Sequence, residues 1–166
     1  MVTEARTQMG SGEDGREAKE LDTIVEDITR VLELEDLRVY SKEVVAEFRN
    51  PTHAARMPDA DAEGIADGLC GDTMEMYLKV EDERIKACTF FTDGCGATIA
   101  CGNRLARFVE GMALRDARSV RPSDLISLLN GLPPEHEHCA TLAVMALRNA
   151  IRNFEEKRGG RRGERS

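Results

Sequence analysis

Tryptophan is missing from the chain, and tyrosine and phenylalanine are scarce, at two and five among 166 residues. A core made from this sequence is therefore mainly aliphatic, with methionine filling its gaps. No apolar run approaches the ~20 residues that cross a bilayer as a helix, so no membrane role is expected. Met1 to Glu20 holds no apolar stretch of the signal-peptide kind, and the expected address is cytoplasmic. Excess positive charge is also lacking. Lys and Arg number 23 against 31 Asp and Glu, a net charge of −8. A nucleic-acid binder usually carries a basic face, so no nucleic-acid partner is expected. There is no Gly-x-x-x-x-Gly-Lys-Ser/Thr loop and no dinucleotide fingerprint, which removes the common nucleotide-dependent classes. No Cys-x-x-Cys knuckle exists, so the spacing is not that of a structural zinc finger.

What is present fits one globular domain: 41% hydrophobic and 33% charged residues, in a chain long enough for a real core. Five cysteines occur, at 70, 88, 95, 101 and 139. The count is odd and no export signal accompanies it. In a reducing compartment such cysteines point to metal or thiol chemistry rather than to a disulfide framework.

Residues 1–16 are polar and read as an unstructured leader. Over 17–38 an amphipathic helix is predicted, because Leu21, Ile24, Val25, Ile28, Val31 and Leu32 recur at steps of three and four. Residues 1–40 hold 5 basic and 11 acidic side chains. Ser41 caps a short second helix carrying Val44, Val45 and Phe48, which Asn50-Pro51 ends. Residues 51–69 read mostly as loop. Met74, Met76, Leu78 and Val80 alternate with polar neighbours, which predicts a half-buried strand. Residues 84–92 are the return strand, with both phases apolar. Asp93-Gly94-Cys95-Gly96 breaks it, and a helix is predicted over 97–110. A short helix follows Pro122, Gly131-Leu132-Pro133-Pro134 is a stiff breaker, and a long helix runs from Cys139 through Phe154. The segment 157–166 reads as a basic, unstructured tail. Strands followed by helices predict an α+β fold, with a small antiparallel β-sheet and helices packed on one face.

Three cysteines sit where elements end. Cys70 lies in Leu-Cys-Gly-Asp before the first strand, Cys95 in Gly-Cys-Gly between strand and helix, and Cys139 after His138 at the start of the last helix. Thiolate and imidazole suit soft and borderline metals, and three Cys with one His complete a four-ligand set. Helix N-termini next to Cys95 and Cys139 favour thiolates. The neighbouring glycines permit φ > 0 and leave room for a cluster. The spacings, 25 and 44 residues, fit a metal site and scattered core thiols alike. Glycine on both sides of Cys95 favours the metal site. Cys88 reads as a core thiol. Cys101 reads as either a core thiol or an auxiliary thiol near the site. His53 reads as solvated, and His136 as either near the site or exposed. A Cys–His nucleophile pair lacks a third group to orient it.

Leu-Cys-Gly-Asp, Asp-Gly-Cys-Gly-Ala-Thr-Ile-Ala and Leu-Pro-Pro-x-x-x-His-Cys, in that order, resemble the IscU/NifU-type iron–sulfur scaffold across residues 39–156. The resemblance implies a SufE/NifU-like fold and an assembly scaffold and sulfur acceptor rather than an enzyme. It implies Cys70, Cys95, His138 and Cys139 as cluster ligands, and Asp72 as a metal ligand tied to cluster lability. Cys139 is implied as the persulfide acceptor, and Tyr40 as a residue linked to persulfide reduction and dimer contact. The implied cargo is Fe(II) and a [2Fe–2S] cluster, with Zn(II) a candidate occupant of the isolated protein. The implied partners are a cysteine desulfurase, a ferredoxin-like electron donor, apo acceptor proteins and a second copy in a homodimer. The family's Leu-Pro-Pro-Val-Lys segment reads Leu132-Pro133-Pro134-Glu135-His136 here, so its dedicated Hsp70-type chaperone is not an expected partner. The alternative is a zinc-binding, SufU-like sulfurtransferase partner of a desulfurase. Those relatives usually lack the His and carry an insertion that the 44-residue spacing leaves no room for.

Overall fold

A computed structural model describes residues 14–163, and the chain divides into two units, residues 1–38 and 39–166. The leader expected over 1–16 lies outside the described residues as far as residue 13. The described residues of the first unit, from Asp14 on, belong to helix α1 (Asp14–Val39), which ends on the first residue of the second. Its apolar stripe, Leu21, Ile24, Val25, Ile28, Val31 and Leu32, is at least half exposed at every position.

The second unit opens with α2 (Lys42–Arg49). Ser41 caps it: its Oγ accepts the Val44 N–H at 3.1 Å and donates to the Leu129 carbonyl at 2.5 Å. One hydroxyl thus starts the helix and ties it to a distant loop. Three strands follow, β1 (Ala62–Asp67), β2 (Thr73–Glu81) and β3 (Arg84–Thr92), as an antiparallel sheet in the order β1-β2-β3. Then come α3 (Gly96–Val109), α4 (Leu114–Arg118), α5 (Pro122–Leu128), a 3-10 turn (Pro134–His136) and α6 (Glu137–Gly163).

One sheet face is dry. Ala62 is buried there, and Ala66, Met74, Met76, Leu78, Ile85, Cys88 and Phe90 join Leu105, Leu147 and Ile151 in one core. Helices α3 and α6 pack there. Met76 pairs with Phe90 and Leu78 with Cys88 across β2 and β3. The opposite face is polar, where Arg56 bonds Glu75 at 2.9 Å and lies 3.7 Å over the Phe91 ring. The fold is α+β, as expected.

Three details differ from what the sequence predicts. Strand β1 lies within residues that read as loop. Its buried positions are Ala62, Gly64 and Ala66, too small to give a strand signal, yet α6 demands small residues there. A Cβ built on Gly64 would stand 2.1 Å from the Ala150 nitrogen and 2.3 Å from the Ala146 oxygen. Helix α4 carries no clear sequence signal; its five residues bury Leu114 and Ala117. Helix α6 runs on from Lys157 to Gly163, within the segment that reads from sequence as an unstructured tail, a continuation of a helix already begun. The ambiguous phase of β3 also has a cause. An irregularity in register at Lys79/Val80 shifts burial from Ile85 to Cys88 and Phe90, an odd step.

Candidate metal centre

Three connections meet at one end of the sheet. The β1–β2 turn closes with a Gly68 N–H to Asp72 carbonyl bond of 2.8 Å. It is joined to the end of β3 by the Thr73 N–H donating to Asp93 Oδ1 at 2.8 Å, and by the Thr92 hydroxyl donating to the Thr73 carbonyl at 2.6 Å. The turn carries Cys70 and Asp72. Cys95 follows Asp93 as the N-cap of α3. The Pro-Pro breaker sets the 3-10 turn, which delivers His136, His138 and Cys139 at the start of α6.

Every sequence-predicted ligand comes to this place. His138 Nε2 lies 3.0 Å from Cys70 Sγ and 3.7 Å from Cys139 Sγ. The Thr98 hydroxyl lies 3.3 Å from Cys139 Sγ, 3.5 Å from Cys95 Sγ and 3.1 Å from Asp72 Oδ2. Cys95 and Cys139 each bring a sulfur within 4.8 Å of the other and of a His136 nitrogen. Cys70 and Cys95 are exposed, and Cys139 is buried. Sulfur, nitrogen and oxygen atoms thus lie close together here, with Cys95, His136 and Cys139 all within 4.8 Å of one another, and such atoms are of the kinds that hold iron, zinc or an iron–sulfur cluster.

The thiols differ in acidity. Burial disfavours the Cys95 thiolate, but the Thr98 hydroxyl and the Thr98 and Ala97 backbone N–H groups outweigh it and hold the thiol below its ordinary value. The expected helix-N-terminus effect thus appears at Cys95. At Cys139 it does not prevail. Burial pushes that thiol up to about 11, with Cys95 and Asp72 adding to the rise against a lowering by Thr98. A metal ion would reverse this by favouring the thiolate. Cys88 and Cys101 are fully buried core thiols, both raised chiefly by burial.

The glycines act in two ways. Gly71, beside Cys70, has φ +84°, a left-handed conformation that an L side chain would strain. Gly94 instead provides room: a Cβ there would stand 2.7 Å from Asp72 Oδ2 and from Thr98.

Sequence reasoning missed Thr98 and undervalued His136. Thr98 lies three residues after the N-cap Cys95, where a side chain turns back toward the cap, so the spacing held that signal. His136 sits two residues before His138, next to a rigid Pro-Pro turn. Its ring meets Tyr40, whose hydroxyl lies 3.1 Å from His136 Nε2. His53 is elsewhere, bonded to Thr52 and Glu110 rather than solvated.

Comparison with known proteins finds one family model and a set of relatives and solved structures. The family model described as NifU-like N terminal domain matches residues 39–160. An iron-sulfur cluster assembly scaffold protein IscU of Archaeoglobus fulgidus is 36% identical over 122 residues, covering 73% of this chain and 80% of the relative. The scaffold protein IscU of Escherichia coli is 34% identical over 125 residues, 72% of this chain and 96% of its own. A NifU-like N-terminal structure from Brucella abortus superposes with TM-score 0.57 at 25% identity, over 72% of this chain and 96% of that one. A structure of an iron-sulfur cluster assembly scaffold protein for the SUF system from Fervidobacterium islandicum shares the fold at TM-score 0.57 and 17% identity, over 68% of this chain and 96% of that one.

Proposed function

This chain belongs to the family of NifU-like N-terminal domains, and on that premise we propose that it is a scaffold on which an iron–sulfur cluster is built and from which it is handed on. The observation that carries the reading is convergence. Residues far apart in sequence lie in contact, Cys70 and Cys139 each with His138, and Asp72 and Cys139 each with Thr98, which also meets Cys95. A scaffold must bind its cargo firmly enough to assemble it and loosely enough to release it. A mixed sulfur, nitrogen and oxygen shell, partly exposed, meets both needs better than four buried thiolates.

Sulfur arrives from a cysteine desulfurase. The desulfurase persulfide passes its outer sulfur to Cys139, leaving a thiol on the donor and a persulfide on Cys139. Two electrons, delivered singly by a ferredoxin-like donor, and a proton from water then cleave the S–S bond, release hydrosulfide and restore the Cys139 thiol. Fe(II) enters through the exposed Cys70 and Cys95 side, with Asp72 as an exchangeable oxygen ligand, and a [2Fe–2S] cluster forms on Cys70, Cys95, His138 and Cys139. An apolar cavity of about 310 Å³ beside the site, lined in part by Leu69, His138, Leu142 and Met145, supports docking of donors and acceptors. Leu69 is 96% exposed, as suits a contact residue. The protein works in the cytoplasm and turns over no substrate of its own. His138 within reach of both Cys70 and Cys139 favours this reading over a zinc-dependent, SufU-like sulfur carrier, although Zn(II) fits the same ligands.

Anaerobic incubation with Fe(II), cysteine and a desulfurase tests it. The visible absorption of a cluster is expected in the wild type and absent in Cys139→Ser. No cluster in the wild type, or full assembly in the variant, would reject these roles.

A further inference from the structure

His136 has no place in the ligand set above, yet it stands among the sulfurs. One ring nitrogen lies within 4.8 Å of both Cys95 Sγ and Cys139 Sγ. On the scaffold reading, we propose that His136 is a metal ligand, forming with Cys95 and Cys139 a nitrogen–sulfur–sulfur seat for a single divalent ion, and that Tyr40 is the residue that positions its ring.

The backbone places the ring firmly. Pro133 and Pro134 fix the approach, and the His136 N–H donates to the Pro133 carbonyl at 2.8 Å. From there α6 begins at once, so His136 and Cys139 cannot drift apart. The ring is half-buried and sits beside Tyr40, with centroids 5.5 Å apart. Tyr40 is itself held edge-on by Phe48 at 6.1 Å, and Phe48 packs on the core. A histidine that binds a metal through one nitrogen usually gives its other N–H to an oxygen, which fixes the tautomer and aims the lone pair. The Tyr40 hydroxyl at 3.1 Å from Nε2 can accept that N–H, which leaves Nδ1 free to ligate. Two thiolates and an imidazole make a seat for a borderline divalent ion such as Fe(II) or Zn(II), with a fourth position open to water, Asp72 or His138. Cys139 also faces His138 at 3.7 Å. An ion held by His136 therefore shares one sulfur with the neighbouring ligands, and can pass to them without leaving the protein.

The full chain is titrated with Co(II) under argon, following the d–d bands and the thiolate-to-cobalt charge transfer. His136→Gln is expected to weaken binding about tenfold or more and to change the d–d bands while keeping the charge transfer. Tyr40→Phe is expected to weaken binding in the wild type but to add nothing in the His136→Gln background. The chain has three histidines, and His53 is held elsewhere by Thr52 and Glu110. X-ray absorption of Zn(II)-loaded His138→Gln should therefore still show one imidazole. A zinc shell without imidazole in that variant overturns the proposal, as does Co(II) binding in His136→Gln with wild-type affinity and bands. If those negatives come with normal cluster assembly in the wild type, the His136 seat alone falls and the scaffold reading stands. A wild type that assembles no cluster while His136→Gln loses Co(II) would instead remove the scaffold reading and leave the seat in place.

Discussion

Thr98 is a buried hydroxyl that touches three chemically active groups at once, Asp72, Cys95 and Cys139. Its contribution at Cys95 is to favour the thiolate against burial. Replacement by valine keeps the shape and removes the hydrogen bond. A bond to a charged group is worth about 1.5–3 kcal/mol, so its loss should make the Cys95 thiol a weaker acid. Alkylation of Cys95 at pH 8, read by mass spectrometry, should slow about tenfold in Thr98→Val. An unchanged rate would mean that the hydroxyl does not control this thiol. The same experiment should rank the wild-type thiols. Cys70 and Cys95 should react early, Cys139 late, and Cys88 and Cys101 last, following exposure and the upward shifts of the last three.

The most exacting contact between elements is that of β1 with α6. Gly64 has no room for a Cβ, because the Ala150 nitrogen and Ala146 oxygen are backbone atoms that cannot swing aside. Gly64→Ala should destabilise the protein at or above the upper end of the ~1–3 kcal/mol typical of overpacking, read from urea unfolding. A loss under ~0.5 kcal/mol would show that the strand and helix are not so closely set. This contact also explains what the sequence could and could not disclose. The strand alternation of Met74 to Val80, the Ser41 cap and the stripe of α6 are signals of large or specialised side chains, and they are legible. Strand β1 is built from Ala and Gly on its buried face, and so has the composition of a loop. Its partner helix alone reveals why. At the site the nearness of Cys70, Cys95, His138 and Cys139 was suggested by the glycines and prolines that punctuate them. Thr98 and His136 were less legible, since their importance arises from a turn of helix and a ring contact that no spacing between cysteines encodes.

For the whole molecule, three buried thiols make a common prediction. Cys88, Cys101 and Cys139 have folded values raised above the ordinary thiol value of 9.0. Below pH 9 both folded and unfolded chains hold these protons, and the stabilising effect is complete. Above it the unfolded chain releases them first, so stability falls as pH rises. Metal-free protein should lose about 1 kcal/mol per such thiol between pH 8 and pH 10, measured by urea unfolding. Cys88→Ala, which removes a thiol outside the ligand set, should be less stable at pH 8 but should show a shallower pH dependence. An equal slope in both proteins would refute the assignment. Every residue of the core and of the site lies in the second unit, the part that the family model spans. The acidic, stripe-bearing α1 is additional to that common frame.

The central claim is that chain-distant groups meet around one inorganic cargo. Iron and acid-labile sulfide, quantified per chain after anaerobic reconstitution of the wild type and of Cys70→Ser, Cys95→Ser and Cys139→Ser, test it most directly. The expected result is equal amounts of iron and sulfide in the wild type and little of either in all three variants. Full occupancy in any one of the variants, or a wild type that retains zinc and takes up no sulfide, would contradict it.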